Sequence, residues 1–263
     1  MPELPDVEGF ANVLVRHALD HRINDVTVLD SQVLRGSSAR RLREVLRGNR
    51  FGKPERHGKW LVVPVDGARG RPHLLMHFGM TGALTWADEG AERHRHDRVI
   101  FGVSGGEIRY RDMRKLKGLY LARDTAEVDT LLADLGPDAL SVSRDQLAEL
   151  LCRTSRQLKP AMADQAALAG LGNLLVDEIL WRARIHPRRR TSDLSRAELT
   201  RLHGRMGAVL RQSVKAERVP PRRSWLTGRR DEPAGSCPRC ATTLSHGRVG
   251  GRGTTWCPRC QPE

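Results

Sequence analysis

Apolar positions change their spacing twice along the chain, and each change marks a different kind of structure. Near the start, Val13, Leu14 and Ala18 follow Pro5-Asp6-Val7-Glu8 at helical intervals. Proline in a first turn is pre-set for the helix, and two acids there face the positive end of its dipole. The pattern predicts a helix from residue 5 to about residue 20. From there to about residue 125 the apolar residues fall in short runs: Val26–Leu29, Trp60–Val65, His73–Met76, Ala83–Trp86, Val99–Val103 and Ile108–Tyr110. Glycine pairs and charged turns divide them, which predicts a β-sandwich or barrel. After Leu135-Gly136-Pro137 helical spacing returns. Ser143-x-x-Gln146 and Ser195-x-x-Glu198 are capping boxes heading amphipathic runs to about 153 and 211. Between them Asn173 is expected to cap Leu174–Ile185, which stops at His186-Pro187. Residues 212–236, rich in Pro, Arg and Gly, read as a basic linker or loop.

The tail carries the densest chemistry. Cys237-Pro-Arg-Cys240 and Cys257-Pro-Arg-Cys260 stand sixteen residues apart and hold four of the five cysteines. One tight Cys-x-x-Cys turn aims two thiolates at one ion, and two such knuckles complete a tetrahedral sulfur shell for Zn²⁺. Between them Thr242–Leu244 and Thr254–Trp256 flank Gly250-Gly251-Arg252-Gly253, a hairpin with an arginine at its tip. Two disulfides or a redox pair would use the same residues, but disulfides need an oxidising compartment. A closed four-sulfur site is structural, so catalysis has to come from elsewhere in the chain.

Charge adds a partner. The net charge of +14 and the pI near 10.6 suit a polyanion, of which nucleic acid is the usual one; solvated arginine-rich faces would give the same numbers. Aromatics make up only 4% of the 263 residues, which disfavours an RNA-binding sheet built on stacking platforms. No run approaches the eighteen apolar residues of a membrane span, and Met1-Pro2-Glu3 begins no signal peptide, so a soluble cytoplasmic protein is expected.

Several other residues have two readings each. Ala169-Gly170-Leu171-Gly172-Asn173 precedes a helix, where free amides favour an anion such as a DNA phosphate; it is equally an ordinary helix start. Removal of Met1 would expose the secondary amine of Pro2 beside the carboxyl of Glu3. Such an amine condenses with an aldehyde-like carbon to a permanently cationic iminium, an electron sink, although most Met-Pro openings do nothing of the kind. Taken singly, Lys59 is a solvated strand-edge lysine, Met80 a core residue and Arg114 a surface residue.

Taken together and in order, these segments resemble the formamidopyrimidine-DNA glycosylase/endonuclease VIII family of base-excision repair enzymes, nearly end to end. The resemblance rests on Pro2-Glu3-Leu4-Pro5, His57-Gly58-Lys59-Trp60-Leu61, His77-Phe78-Gly79-Met80-Thr81-Gly82 and Asp112-Met113-Arg114-Lys115-Leu116. It continues through Leu135-Gly136-Pro137-Asp138, Leu158-Lys159-Pro160, Gly170-Leu171-Gly172-Asn173, Asp177-Glu178-Ile179-Leu180 and Ile185-His186-Pro187 to the cysteine hairpin.

The resemblance implies an α+β protein in three parts: a catalytic β-sandwich with flanking helices over residues 1–128, a helix–two-turns–helix domain over 129–221, and a basic loop with a zinc-ribbon finger over 222–263. It implies Pro2 as the nucleophile that displaces a damaged base and forms a Schiff base with C1′, with Glu3 handling protons on the sugar and Lys59 as a cationic donor. Lys159, Asn173, Arg252 and His77 match positions that hold phosphates. Met80 and Arg114 match residues that enter the gap left by the flipped base, with Leu116 in the wedge motif. One structural Zn²⁺ on Cys237, Cys240, Cys257 and Cys260 is expected. The expected partner is double-stranded DNA bearing a damaged base or abasic site, met by a monomer at the bacterial nucleoid without a membrane.

The chain departs from the family pattern at Met113, Lys115 and Leu116, which replace Pro, Arg and Phe of an Asp-Pro-Arg-Arg-Phe motif, and at Asp6, which replaces a glutamate. The Gly/Thr-rich loop that covers the flipped base in the family's 8-oxoguanine enzymes has no counterpart in 212–236, where Arg222-Arg223-Ser224-Trp225-Leu226 is more like the endonuclease VIII-like branch. The expected activity is therefore a DNA glycosylase with AP lyase activity whose preferred lesion stays open. The alternative is a catalytically silent zinc-finger protein that binds damaged or bent DNA.

Overall fold

The structure is a computed structural model describing residues 1–263. Its contacts divide the chain into two units, residues 1–2 with 6–134, and residues 3–5 with 135–263.

In the first unit helix α1 (Leu4–His17) is followed by β1 (Asp25–Val28), β2 (Leu34–Arg35), α2 (Ala39–Leu46), β3 (Arg50–Phe51), β4 (Glu55–His57), β5 (Trp60–Asp66), β6 (His73–His77), β7 (Ala83–Asp88), β8 (Asp97–Val103), β9 (Gly106–Arg111), β10 (Gly118–Ala122) and α3 (Thr125–Leu132). One sheet has the order β1-β8-β9-β7; the other has β2-β10-β6-β5-β3, with β4 also paired to β5. All pairings are antiparallel except β10 with β2. Residues two apart point to one face of a strand. Accordingly Leu61, Val63 and Val65 of β5, Val99, Phe101 and Val103 of β8, and Ile108 and Tyr110 of β9 enter a single core. This is the expected β-sandwich, and the six short runs read in the sequence are strands. Helix α2 was not expected; its Ser38 cap and its buried Leu42, Val45 and Leu46 are a helical signal on a segment with three arginines.

The second unit holds α4 (Arg144–Cys152), α5 (Leu158–Met162), α6 (Asn173–Ala183), α7 (Arg196–Lys215), β11 (Ser245–Val249) and β12 (Arg252–Trp256). Both capping boxes form: Ser143 and Gln146 exchange bonds of 2.9 and 3.2 Å, and Ser195 and Glu198 of 2.8 and 3.2 Å. Helices α4, α6 and α7 share one core with Leu4 and Trp225. Residues 216–236 form the expected loop, but an anchored one and not a free linker. Helix α7 runs to Lys215, Trp225 joins the helical core, and Leu226 packs with Trp181, Cys237, Leu244 and Cys257. Two apolar side chains anchor a segment that its charge and glycine content had made look loose. Residues 129–134 group by contact with the first unit. No helix is long and apolar enough to cross a membrane.

Candidate nucleic-acid interface and metal centre

In the first unit a turn through Gly58, at φ +58°, joins β4 to β5 and leaves Lys59 buried immediately before β5. Trp60 pairs with His77 across β5 and β6, and their rings meet edge to face at 4.9 Å. His77 Nδ1 accepts a bond from the Gly79 amide at 3.0 Å. A ring nitrogen that accepts carries no proton, so the neutral imidazole carries its proton on Nε2. Burial holds the His77 imidazole down to about 4, and the charges of Lys117 and Lys59 push the same way. At neutral pH His77 is therefore an uncharged N–H donor.

Met80 and Arg114 come from different loops and meet, with Arg114 Nη1 3.0 Å from Met80 Sδ. The loops are tied beneath them. The Thr81 hydroxyl donates to Asp112 Oδ1 at 2.6 Å, and the Arg114 amide donates to Thr81 Oγ1 and Asp112 Oδ1 at 3.0 and 3.1 Å. Lys115 turns the second loop at φ +53° and reaches Asp30 and Gln32 at 3.0 and 2.5 Å. Met80, Met113 and Leu116 are 41%, 51% and 51% exposed. Three exposed apolar side chains beside an arginine on a braced base have the chemistry of a wedge that enters a base stack.

In the second unit Glu3 caps helix α6. Its carboxylate accepts from the amides of Gly172, Leu174 and Leu175 at 2.9, 2.8 and 3.1 Å. Asn173 therefore does not cap this helix. It is the first helical residue, after an N-cap Gly172 with no side-chain bond. The carboxylate wins because it is charged and satisfies three orphan amides at the positive end of the dipole. A Cβ on Gly172 would sit 2.3 Å from Glu3 Cδ, so glycine is what lets the carboxylate in. Asn173 instead donates from Nδ2 to the Gly253 carbonyl at 2.9 Å, and its Oδ1 is buried without a partner.

Lys159, expected to hold a phosphate, is fully buried. Its Nζ donates to Asp177 Oδ1 at 2.5 Å and to the Gly253 carbonyl at 3.0 Å. Arg230 completes the cluster, reaching Asp177 Oδ2 at 2.6 Å and Gly253 O at 3.0 Å. Burial pulls the Lys159 ammonium below its ordinary range, Asp177 opposes this, and Arg230 and Arg252 add to it. Three side chains thus converge on one hairpin carbonyl next to Arg252, whose own side chain is exposed at the start of β12. Asp177 and Arg230 had been given no role. The signal was an Asp-Glu pair inside the apolar run Leu174–Trp181, since buried acids need cationic partners.

The hairpin folds differently from expectation at its edges. Strand β11 is Ser245–Val249, and the two-residue turn is Gly250-Gly251 at φ +57° and +75°. Two positive φ values give the turn whose twist matches a hairpin, and Arg252 lies one step past it. The sulfurs of Cys237, Cys240, Cys257 and Cys260 all lie within 4.8 Å of one another, with separations such as 3.5 and 3.8 Å. A tetrahedral shell with Zn–S near 2.3 Å puts sulfurs about 3.8 Å apart, so the four fit Zn²⁺ and are too far apart for disulfides. N–H donors also reach Cys237 Sγ, from Trp181 Nε1 at 3.3 Å and the Arg239 amide at 3.4 Å, as suits a thiolate.

Comparison with known proteins bears on all three parts. A family model described as the formamidopyrimidine-DNA glycosylase N-terminal domain matches residues 1–119, the H2TH domain of the same enzymes matches 135–221, and a zinc finger found in FPG and IleRS matches 236–262. The chain is 33% identical over 283 aligned positions to formamidopyrimidine-DNA glycosylase of Bacillus cereus, covering all of both chains. Its fold is similar to that of the Lactococcus lactis enzyme non-covalently bound to DNA containing an AP site, at TM-score 0.87, 26% identity and full coverage of both. It is likewise similar to MutM in complex with DNA containing carbocyclic 8-oxo-G, at TM-score 0.89, 26% identity and full coverage of both.

Proposed function

The chain belongs to the formamidopyrimidine-DNA glycosylase family, and from that premise we propose that it excises damaged bases through an N-terminal proline Schiff base and then cleaves the abasic strand as a lyase. Glycosylase and lyase chemistry on damaged DNA is the family's general activity; the roles of particular residues are our reading. The observation that carries it is the clamp on Glu3, whose carboxylate is fixed by three amides one residue from Pro2. A carboxylate held this firmly beside a potential secondary amine suits proton transfer on a substrate attached to that amine.

Once Met1 is removed, the Pro2 nitrogen attacks C1′. The glycosidic bond breaks, and the departing base takes the electron pair and a proton. The attacking nitrogen then loses its proton, O4′ leaves with a proton supplied through Glu3, and a cationic iminium remains. Loss of a C2′ proton expels the 3′ phosphate, and water releases the sugar fragment from Pro2. Lys59, buried at the start of β5, supplies a fixed positive charge near His77. His77 offers Nε2–H to a phosphate oxygen, Asn173 and Arg252 grip the backbone from the second unit, and Lys159 acts through Gly253 by holding the hairpin in place. Met80, Arg114 and Leu116 fill the space left by the extruded base, which offsets part of the few kcal/mol of unstacking. Borohydride reduction in the presence of abasic-site duplex tests the nucleophile: the adduct should map to residue 2, and an adduct on an internal lysine would refute the assignment.

For the lesion, we propose ring-opened purines, oxidised pyrimidines, hydantoins or a plain abasic site over 8-oxoguanine paired with cytosine. Trp225 and Leu226 tie the segment after α7 into buried clusters, which leaves little of it to fold over a flipped base.

A further inference from the structure

The second unit contains a cavity of about 870 Å³ that the proposed chemistry does not use. It opens beside the C-terminal end of α6 and takes six arginines: Arg182, Arg184, Arg201, Arg205, Arg222 and Arg239. At 1.5 Å per residue, that end of α6 lies roughly 12–16 Å along the helix from Gly172 and Asn173.

Three of the arginines are fixed in place. Arg182 pairs with Glu178 at 2.7 Å and stacks over Trp225 at 4.4 Å. Arg239 stacks over Trp181 at 4.4 Å and donates to its carbonyl at 3.2 Å. Arg201 donates to the Ala183 carbonyl at 2.7 Å. The other three side chains, Arg184, Arg205 and Arg222, are exposed and make no hydrogen bond or ion pair. Arg201 and Arg205 stand four apart on α7 and so share a face. Glu178 is the one carboxylate bound to any of the six, and it answers only Arg182.

Guanidinium groups stay charged, and gathering six of them around a concave space costs repulsion unless an anion enters. Their planar forks match phosphate oxygens two at a time. The volume lies in the range of small-ligand pockets and is polar in its lining, which suits a few linked phosphates better than an apolar molecule. We propose that this cavity is a second anion site that binds linked phosphates, distinct from the residues proposed to grip damaged DNA. The phosphates could belong to a free pyrophosphate-bearing compound or to the end of a single nucleic-acid strand.

The test is calorimetric titration of the full zinc-loaded chain, already saturated with a duplex carrying a tetrahydrofuran abasic analogue. Sodium pyrophosphate is one titrant and pentathymidylate the other. At least one should bind with unit stoichiometry, and the tighter of the two identifies the source of the phosphates. The double variant R184Q/R205Q removes two free cations from exposed positions and should weaken that binding by about tenfold or more. It should nick an abasic duplex at the wild-type rate. Failure of both titrants, binding indifferent to the substitutions, binding lost once the duplex is present, or nicking slowed in the variant would each overturn the proposal.

Discussion

Glu3 lies 169 residues from Gly172 in sequence, yet its carboxylate is the cap of α6. A glutamine there keeps one acceptor oxygen and loses the charge. Glu3→Gln should therefore leave the helix largely capped while removing the group proposed to move protons. Single-turnover excision should fall by about 100-fold or more, the scale of general acid–base catalysis. Affinity for a duplex with an uncleavable abasic analogue should change little, and an equal loss in both would reduce Glu3 to a structural cap. His77 gives a second outcome at this scale. Its imidazole is held down to about 4 by burial and by Lys117 and Lys59, whereas an unfolded chain protonates it near 6.5. The unfolded state thus binds the proton first as pH falls. Stability from this residue is complete above pH 6.5 and is lost towards pH 4, in all about 3 kcal/mol. Urea unfolding of wild type and His77→Gln across that window should show the extra slope in wild type only; parallel curves would sink the assignment.

The zinc hairpin is the element whose parts separate most cleanly by mutation. Cys257→Ser should release zinc and weaken DNA binding together, because the metal holds both knuckles. Arg252→Ala should weaken binding with zinc retained, and the salt slope of binding should drop by about one phosphate contact. Metal content by atomic emission beside filter binding distinguishes the two, and a zinc-free protein that binds as well as wild type would contradict both. The hairpin also shows which signals a sequence holds. The cysteine spacing and the glycine turn are local, so both were legible, although the turn is two residues narrower than the sequence suggests. The two capping boxes are local as well, and their helices appear. What was not legible is long-range. No local pattern ties Glu3 to Gly172, or Asp177 to Lys159 and Arg230, since those choices depend on which buried charge meets which orphan donor. Helix α2 was missed for a different reason, as eight arginine-rich residues bury only three side chains.

At the scale of the whole molecule, the net charge of +14 accounts for attraction to DNA of any sequence but not for the choice of lesion. That choice falls to whatever touches the extruded base. A flipped base is selected by hydrogen bonds to its edge and by stacking on its ring, so a pocket with little cover reads less of it. In this chain the segment after α7 is tied down. Trp225 and Leu226 are 2% and 0% exposed, Trp225 lies under Arg182, and the Thr227 amide donates to Glu178 at 3.1 Å. Lifting the segment over a base would strip Glu178 of that bond and expose both side chains, at a cost of several kcal/mol. On the proposed reading Leu116 meets the opposite strand, where it would stack less well than the phenylalanine of the family motif. Both features should cut discrimination, and 8-oxoguanine should suffer most because it differs from guanine only at its edge. The abasic site asks nothing of the pocket, so strand cleavage there should be the fastest activity. Single-turnover rates on one duplex series decide it: excision of 8-oxoguanine opposite cytosine should be slower than that of ring-opened purines, hydantoins or oxidised pyrimidines. If it is instead the fastest base lesion removed, the anchored segment must leave its place to cover the base, and the discrimination argued from its packing fails.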